Sequence, residues 1–149
     1  MKKILTIMLM AVLALGASAK TTDELFKEAA EATAGEYNEF SGQMLEMMKQ
    51  MSPEFKNMNN VKTLRIMSIA DVKANTPEII NGIFSASNLE GFTLVTGNAE
   101  EAAWVKTDGE NSDNINSLLL ISFEKQSVTV LELEGHFTTK EIEKMIDAM

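Results

Sequence analysis

From Gly91 onward, apolar and β-branched residues gather into short runs separated by turn-rich links: FTLVTG (92–97), AAWVKT (102–107), NSLLLISF (116–123) and SVTVLELEG (127–135). Runs of this length and composition predict strands joined as an antiparallel meander. The links at 98–101 and 124–126 are short enough for hairpins, and DGENSDN (108–114) predicts a longer polar loop. Within 117–133, Leu119, Ile121 and Phe123 fall on one face while Leu118 and Leu120 take the other. The middle of the sheet is therefore expected to be covered on both sides.

Before Gly91 the spacing is mostly that of helices. Thr21 with Glu24 forms a capping-box pattern, followed by Leu25, Phe26, Ala29 and Ala30 and a break at Gly35. Over 36–55, Tyr37, Phe40, Met44, Met47, Met48, Met51 and Phe55 share one face of a helical wheel, and Ser52 before Pro53 ends the helix near Met51. VKTLRIMSI (61–69) reads as a strand. Thr76 and Pro77 then open a helix bearing Ile79, Ile80, Ile83 and Phe84 and fading by Asn88. Thr138 and Glu141 cap a last helix with Ile142, Met145, Ile146 and Met149 at helical spacing. The expectation is a single α+β domain over 20–149: a mostly antiparallel sheet of about four to five strands with helices packed on it, two of them N-terminal and one C-terminal. If strand 61–69 pairs parallel with a later strand, its crossover should be right-handed.

The methionine stripe is the feature most open in meaning. Interleaved with Tyr37 and Phe40, it reads first as a core-packing face, with flexible thioethers filling irregular gaps. The same face, Tyr37, Phe40, Met44, Met48 and Met51, is also a candidate interaction surface, because Met-rich faces suit adaptable docking. Met44, Met47, Met48 and Met51 further form a Cu(I) candidate, since thioethers are soft ligands and i, i+3, i+4, i+7 spacing aligns them.

The N-terminus changes the setting. Lys2 and Lys3 precede an apolar run from Ile4 to Leu15, followed by Gly16 and the triplet Ala17, Ser18, Ala19. About twelve apolar residues fall short of the roughly twenty a spanning helix needs, and A-x-A marks a cleavage site, so 1–19 reads as a secretory signal peptide. No stable membrane span is expected after cleavage. The chain has no cysteine, which excludes a lipoprotein anchor, disulfides, zinc–cysteine sites and thiol chemistry. Losing Lys2 and Lys3 takes the formal charge from −9 to about −11, which disfavours nucleic acid and anionic lipid surfaces. The expected location is the periplasm or the exterior.

Catalytic signals are sparse. Asp108, Glu110, Ser112 and Asp113 offer oxygens, but Gly109 is misplaced for an EF-hand loop and no bidentate glutamate closes it. Ser122 to Lys125 matches S-x-x-K at a strand end, where the serine is not presented as a nucleophile. His136 reads as a turn residue, Trp104 as sheet cover, Glu100 with Glu101 as turn residues, and Glu132 with Glu134 as neighbours on one strand face, solvent-exposed or a weak cation site. No cofactor is expected.

The signal peptide, VKTLRIM, SLLLISF, VTVLELEG with Gly135, and the helix around Ile142 together resemble an exported bacterial family called domain of unknown function 4252. The resemblance implies a small exported protein of Gram-negative bacteria and carries over no functional residue. The expected function is a non-catalytic binding or interaction protein of the envelope with an envelope protein as partner. A periplasmic copper-binding protein using the methionine stripe and an enzyme with an unrecognised carboxylate site are the alternatives. The enzyme reading predicts a pocket holding an acid of raised pKa.

Overall fold

A computed structural model describes residues 20–51, 60–108 and 111–148. Residues 1–19 with the whole signal-like segment, Phe55 with its neighbours at 52–59, Gly109, Glu110 and Met149, and the side chains of Asp108, Asn111, Ser112, Asp113, Met145 and Ile146 lie outside what is described.

The elements run α1 (Thr22–Thr33), β1 (Glu36–Ser41), α2 (Gly42–Met51), β2 (Val61–Ile69), α3 (Thr76–Ile83), β3 (Phe92–Gly97), β4 (Glu101–Asp108), β5 (Asn111–Phe123), β6 (Val128–Phe137) and α4 (Thr139–Ala148). The α+β class holds, with six strands in the order β1-β2-β6-β5-β4-β3. Every neighbouring pair is antiparallel, so β2 needs no parallel crossover.

The extra strand comes from the stretch expected to begin the methionine helix. EYNEFS alternates, Tyr37 pairs with Met67 and Phe40 with Leu64, and six positions of β2 receive a partner. Gly42, at φ +58, then turns the chain from strand into α2 in a conformation that a β-carbon disfavours. Tyr37 and Phe40, three residues apart, thus lie on opposite faces of the sheet instead of one face of a helix. β5 also begins earlier than expected, at Asn111, so most of the polar stretch DGENSDN belongs to strands.

Alternation in the strands divides the interior into two layers. On the first face, Met67, Ile69, Leu119, Ile121, Val128 and Val130 pack under Leu25, Phe26 and Ala29 of α1 and Ile80 of α3. The Phe26 ring stacks on Tyr37 and meets Phe84 edge-on, at 5.1 and 5.3 Å between centroids. On the second face, Leu64, Leu118, Leu133 and Phe137 pack under Leu45 of α2 and Ile142 of α4. Each fully buried aliphatic or aromatic side chain stabilises by about 1.5–3 kcal/mol. α1 starts as expected, the Thr21 hydroxyl accepting from the Glu24 amide while the Glu24 carboxylate accepts from the Thr21 amide. At Gly135 a β-carbon would collide with the Asn60 carbonyl oxygen, so β6 needs glycine where the chain enters β2.

Candidate functional site

The sheet register brings side chains together in rows that cross the strands. On the first face one row reads Trp104, Leu119, Glu132, Arg65, Glu39. Arg65 Nη1 donates to Glu132 Oε1 at 2.7 Å and approaches Glu134 Oε1 at 2.6 Å, and its Nε donates to Glu39 Oε2 at 3.0 Å. Glu132 is 1 % exposed, and its other oxygen accepts from Ser117 Oγ at 2.7 Å. Burial raises its pKa, while hydrogen bonds from Thr22 and Ser117 and the charge of Arg65 pull the other way. Burial also works against the charge on Arg65, but the Glu132 and Glu134 carboxylates outweigh it and hold the guanidinium above its usual range.

The row continues to α1. Tyr37 Oη donates to Asp23 Oδ1 at 2.6 Å; burial and that bond raise the phenol, and the same bond, helped by Lys27, lowers Asp23. No buried side-chain nitrogen or oxygen among the described residues lacks a partner. This cluster fastens α1 to four strands and leaves none of its buried side-chain nitrogens or oxygens unpaired. Sequence reasoning took Glu132 for a strand-surface residue, and the structure corrects this. The available signal was Arg65, a cation set between Leu64 and Ile66 in the middle of a strand.

The second face carries the methionines. Met44, Met47 and Met51 are 59 %, 59 % and 81 % exposed, so the core-packing reading of the stripe fails for three of its four members. Among the described residues of the segment ten are helical, and the side of α2 that meets the sheet is set by Leu45, with Met48 partly buried behind it. Lys49, whose Nζ donates to the Val61 carbonyl at 3.2 Å, fixes that orientation. Of the expected interaction surface, Met44 and Met51 face outward, Met48 and Phe40 are half-buried against the second core, and Tyr37 lies across the sheet.

Below the helices the same face is open. Three successive rows cross it: Val105, Leu118, Leu133, Leu64 and Phe40; then Ala103, Leu120, Leu131, Ile66 and Asn38; then Glu101, Ser122, Thr129, Ser68 and Glu36. The first packs with the core under α2 and α4. In the second, Leu120, Leu131 and Ile66 are only half-buried, and the small Ala103 leaves a cavity of about 240 Å³ bordered by Leu120, Leu131, Thr129, Ser122 and Glu101. The third is hydroxyls with a carboxylate toward each end. Beside it β3 is a free edge, with Leu94 and Val95 48 % and 60 % exposed.

The remaining candidates do not converge. Trp104 is half-buried in the first core, and His136 is exposed with its amide donating to the Asn60 carbonyl. Ser122 lines the cavity, but at the end of β5. Among the described residues no group of three or more His, Cys, Asp or Glu is placed to hold a metal ion. The raised acid, Glu132, lies on the face opposite the cavity, so the two parts of the enzyme signature are separated by the sheet.

No curated protein and no solved structure matches this chain. The family model described as Domain of unknown function (DUF4252) matches residues 26–145, from within α1 to within α4. The match takes in the whole sheet and both helix layers, and the chain belongs to the DUF4252 family.

Proposed function

We propose that this protein is an exported, non-catalytic binding protein of the bacterial envelope, working through the second face of its sheet. One observation carries the reading: apart from Leu94 and Val95 on the β3 edge, the exposed large apolar side chains among the described residues are Met44, Met47 and Met51 of α2 on that side, beside the half-buried Leu120, Leu131 and Ile66. The buried charges on the other face, by contrast, are satisfied internally. Exposed apolar side chains gathered on one face mark an interaction site. Among the described residues no helix is long and apolar enough to cross a membrane. Export rests on the signal-like segment 1–19, and intact mass of the protein recovered from the envelope should show a chain beginning at Lys20.

Site-specific photo-crosslinking in the producing cell tests the binding role. A benzophenone side chain at Met47 or at Thr129 should yield a discrete adduct, and one at Lys27 on α1 should not. Equal labelling at all three positions, or none at any, removes the reading. The exposed i, i+3, i+7 thioethers also favour a second reading, Cu(I) binding. Competition against a chromophoric Cu(I) chelator decides it: binding lost in the triple variant Met44→Leu, Met47→Leu, Met51→Leu supports copper, and unchanged competition removes it.

A further inference from the structure

We infer that the open half of the second face seats an amphipathic helix of a partner protein, apolar along one stripe and carrying a basic side chain toward each end. The inference rests on the binding reading and names its partner's chemistry. Leu120, Leu131 and Ile66 form a half-buried apolar band, and the cavity at Ala103 accepts one further apolar side chain. The row bordering the band ends in Glu101 on β4 and Glu36 on β1, both exposed. By strand alternation, no described lysine or arginine shares these two rows. Both ends of the band therefore favour a cation, and nothing on it favours an anion.

The occupant's secondary structure follows from hydrogen bonding. The middle of a sheet face offers no free backbone donor or acceptor, since the ladder has used them, so a segment lying there must satisfy its own amides. A helix does this and an extended strand does not; a strand would instead join the β3 edge. Four inter-strand steps separate Glu101 from Glu36, about 19 Å at the usual spacing, which is the length of roughly thirteen helical residues. α2 and α4 already cover the upper half of this face, and a third helix would complete the layer.

The test uses the purified protein and two fluorescein-labelled helical peptides of about fourteen residues with the same leucine stripe, one with lysine in its first and last turns and one with glutamate there. Anisotropy titration should show the lysine peptide binding about tenfold more tightly, the scale expected for two exposed ion pairs. Glu36→Lys with Glu101→Lys should reverse the preference, and Leu131→Gln should weaken both peptides. Glu31→Lys with Glu78→Lys, which makes the same change in net charge on α1 and α3, should leave the preference intact.

Equal affinity for the two peptides overturns the inference, because the two glutamates then select nothing, and a reversal produced equally by the α1 and α3 variant overturns it because the attraction is then to net charge. Binding abolished by Val95→Lys alone moves the site to the β3 edge and overturns it while the binding reading stands. No binding of either peptide below about 1 mM, weaker than about −4 kcal/mol, also overturns it, and the cross-linking pattern then decides the broader reading separately.

Discussion

The two faces of the sheet use the same strands differently. β6 shows it within one segment: Val128, Val130, Glu132 and Glu134 point to the first face, and Thr129, Leu131 and Leu133 to the second. The first face is roofed by α1 and α3 and keeps a charged row inside; the second is roofed over half its height and leaves apolar side chains half-exposed. A buried charge demands a fixed partner, and an apolar surface accepts any partner of suitable shape. The first face is therefore built for register. A one-residue slip of β2 against β6 would carry Arg65 under α2, among leucines, and leave Glu132 buried without its cation.

The largest effect should come from breaking that row. Arg65→Met removes the cation and strands Glu132 at 1 % exposure, which should lower stability by about 3–5 kcal/mol. The double variant Arg65→Met with Glu132→Leu should recover most of it, because a buried pair replaced by packed apolar groups is often neutral. Urea denaturation measures both. A single variant losing less than about 1 kcal/mol would put Arg65 among ordinary surface ion pairs and remove the contrast between the faces.

A smaller effect should appear within the second face. Leu133 and Leu131 are two residues apart on β6 and point the same way, but the first is fully buried under the helices and the second lies on the open half. Leu133→Ala should lose about 2–5 kcal/mol, and Leu131→Ala about 1 kcal/mol, because a half-exposed site loses less transfer energy and leaves no closed cavity. Equal losses would mean that the lower half is closed in solution.

How much of this was legible depends on whether the signal was local. The five strands from VKTLRIMSI to SVTVLELEG, the capping box at Thr21 and the two-sided cover of β5 follow from nearest-neighbour patterns, and the structure carries them. EYNEFS was hidden because six alternating residues ahead of a helical run continue a helical wheel acceptably; pairing with β2 decides them, and pairing is a long-range fact. The same displacement misled the reading of the methionines. With Tyr37 and Phe40 taken off the wheel, Leu45 becomes the anchor of α2 and three of the four thioethers turn outward. Arg65 meeting Glu132 needed the register, which no spacing along the chain provides.

The smallest expected effect concerns pH. Glu132 holds its proton more tightly when folded than an exposed glutamate, whose usual value is 4.5, chiefly through burial, with Thr22, Ser117 and Arg65 opposing. A group whose folded pKa is raised contributes stability below its unfolded pKa and loses that contribution as pH climbs through the folded value. Asp23 runs the other way: its pKa is lowered, chiefly by the Tyr37 hydrogen bond, and its contribution is lost as pH falls through the folded value, below 3.8. Glu132→Gln removes the first titration and keeps the second. The melting temperature of the variant relative to the parent should therefore rise as pH climbs above 4.5 and level off once pH has passed the folded value, with the Asp23 contribution cancelling in the difference. A flat or falling difference would mean that Arg65 and the two hydroxyls fully offset burial, so that the first face carries its charge without penalty and differs from the second in packing alone.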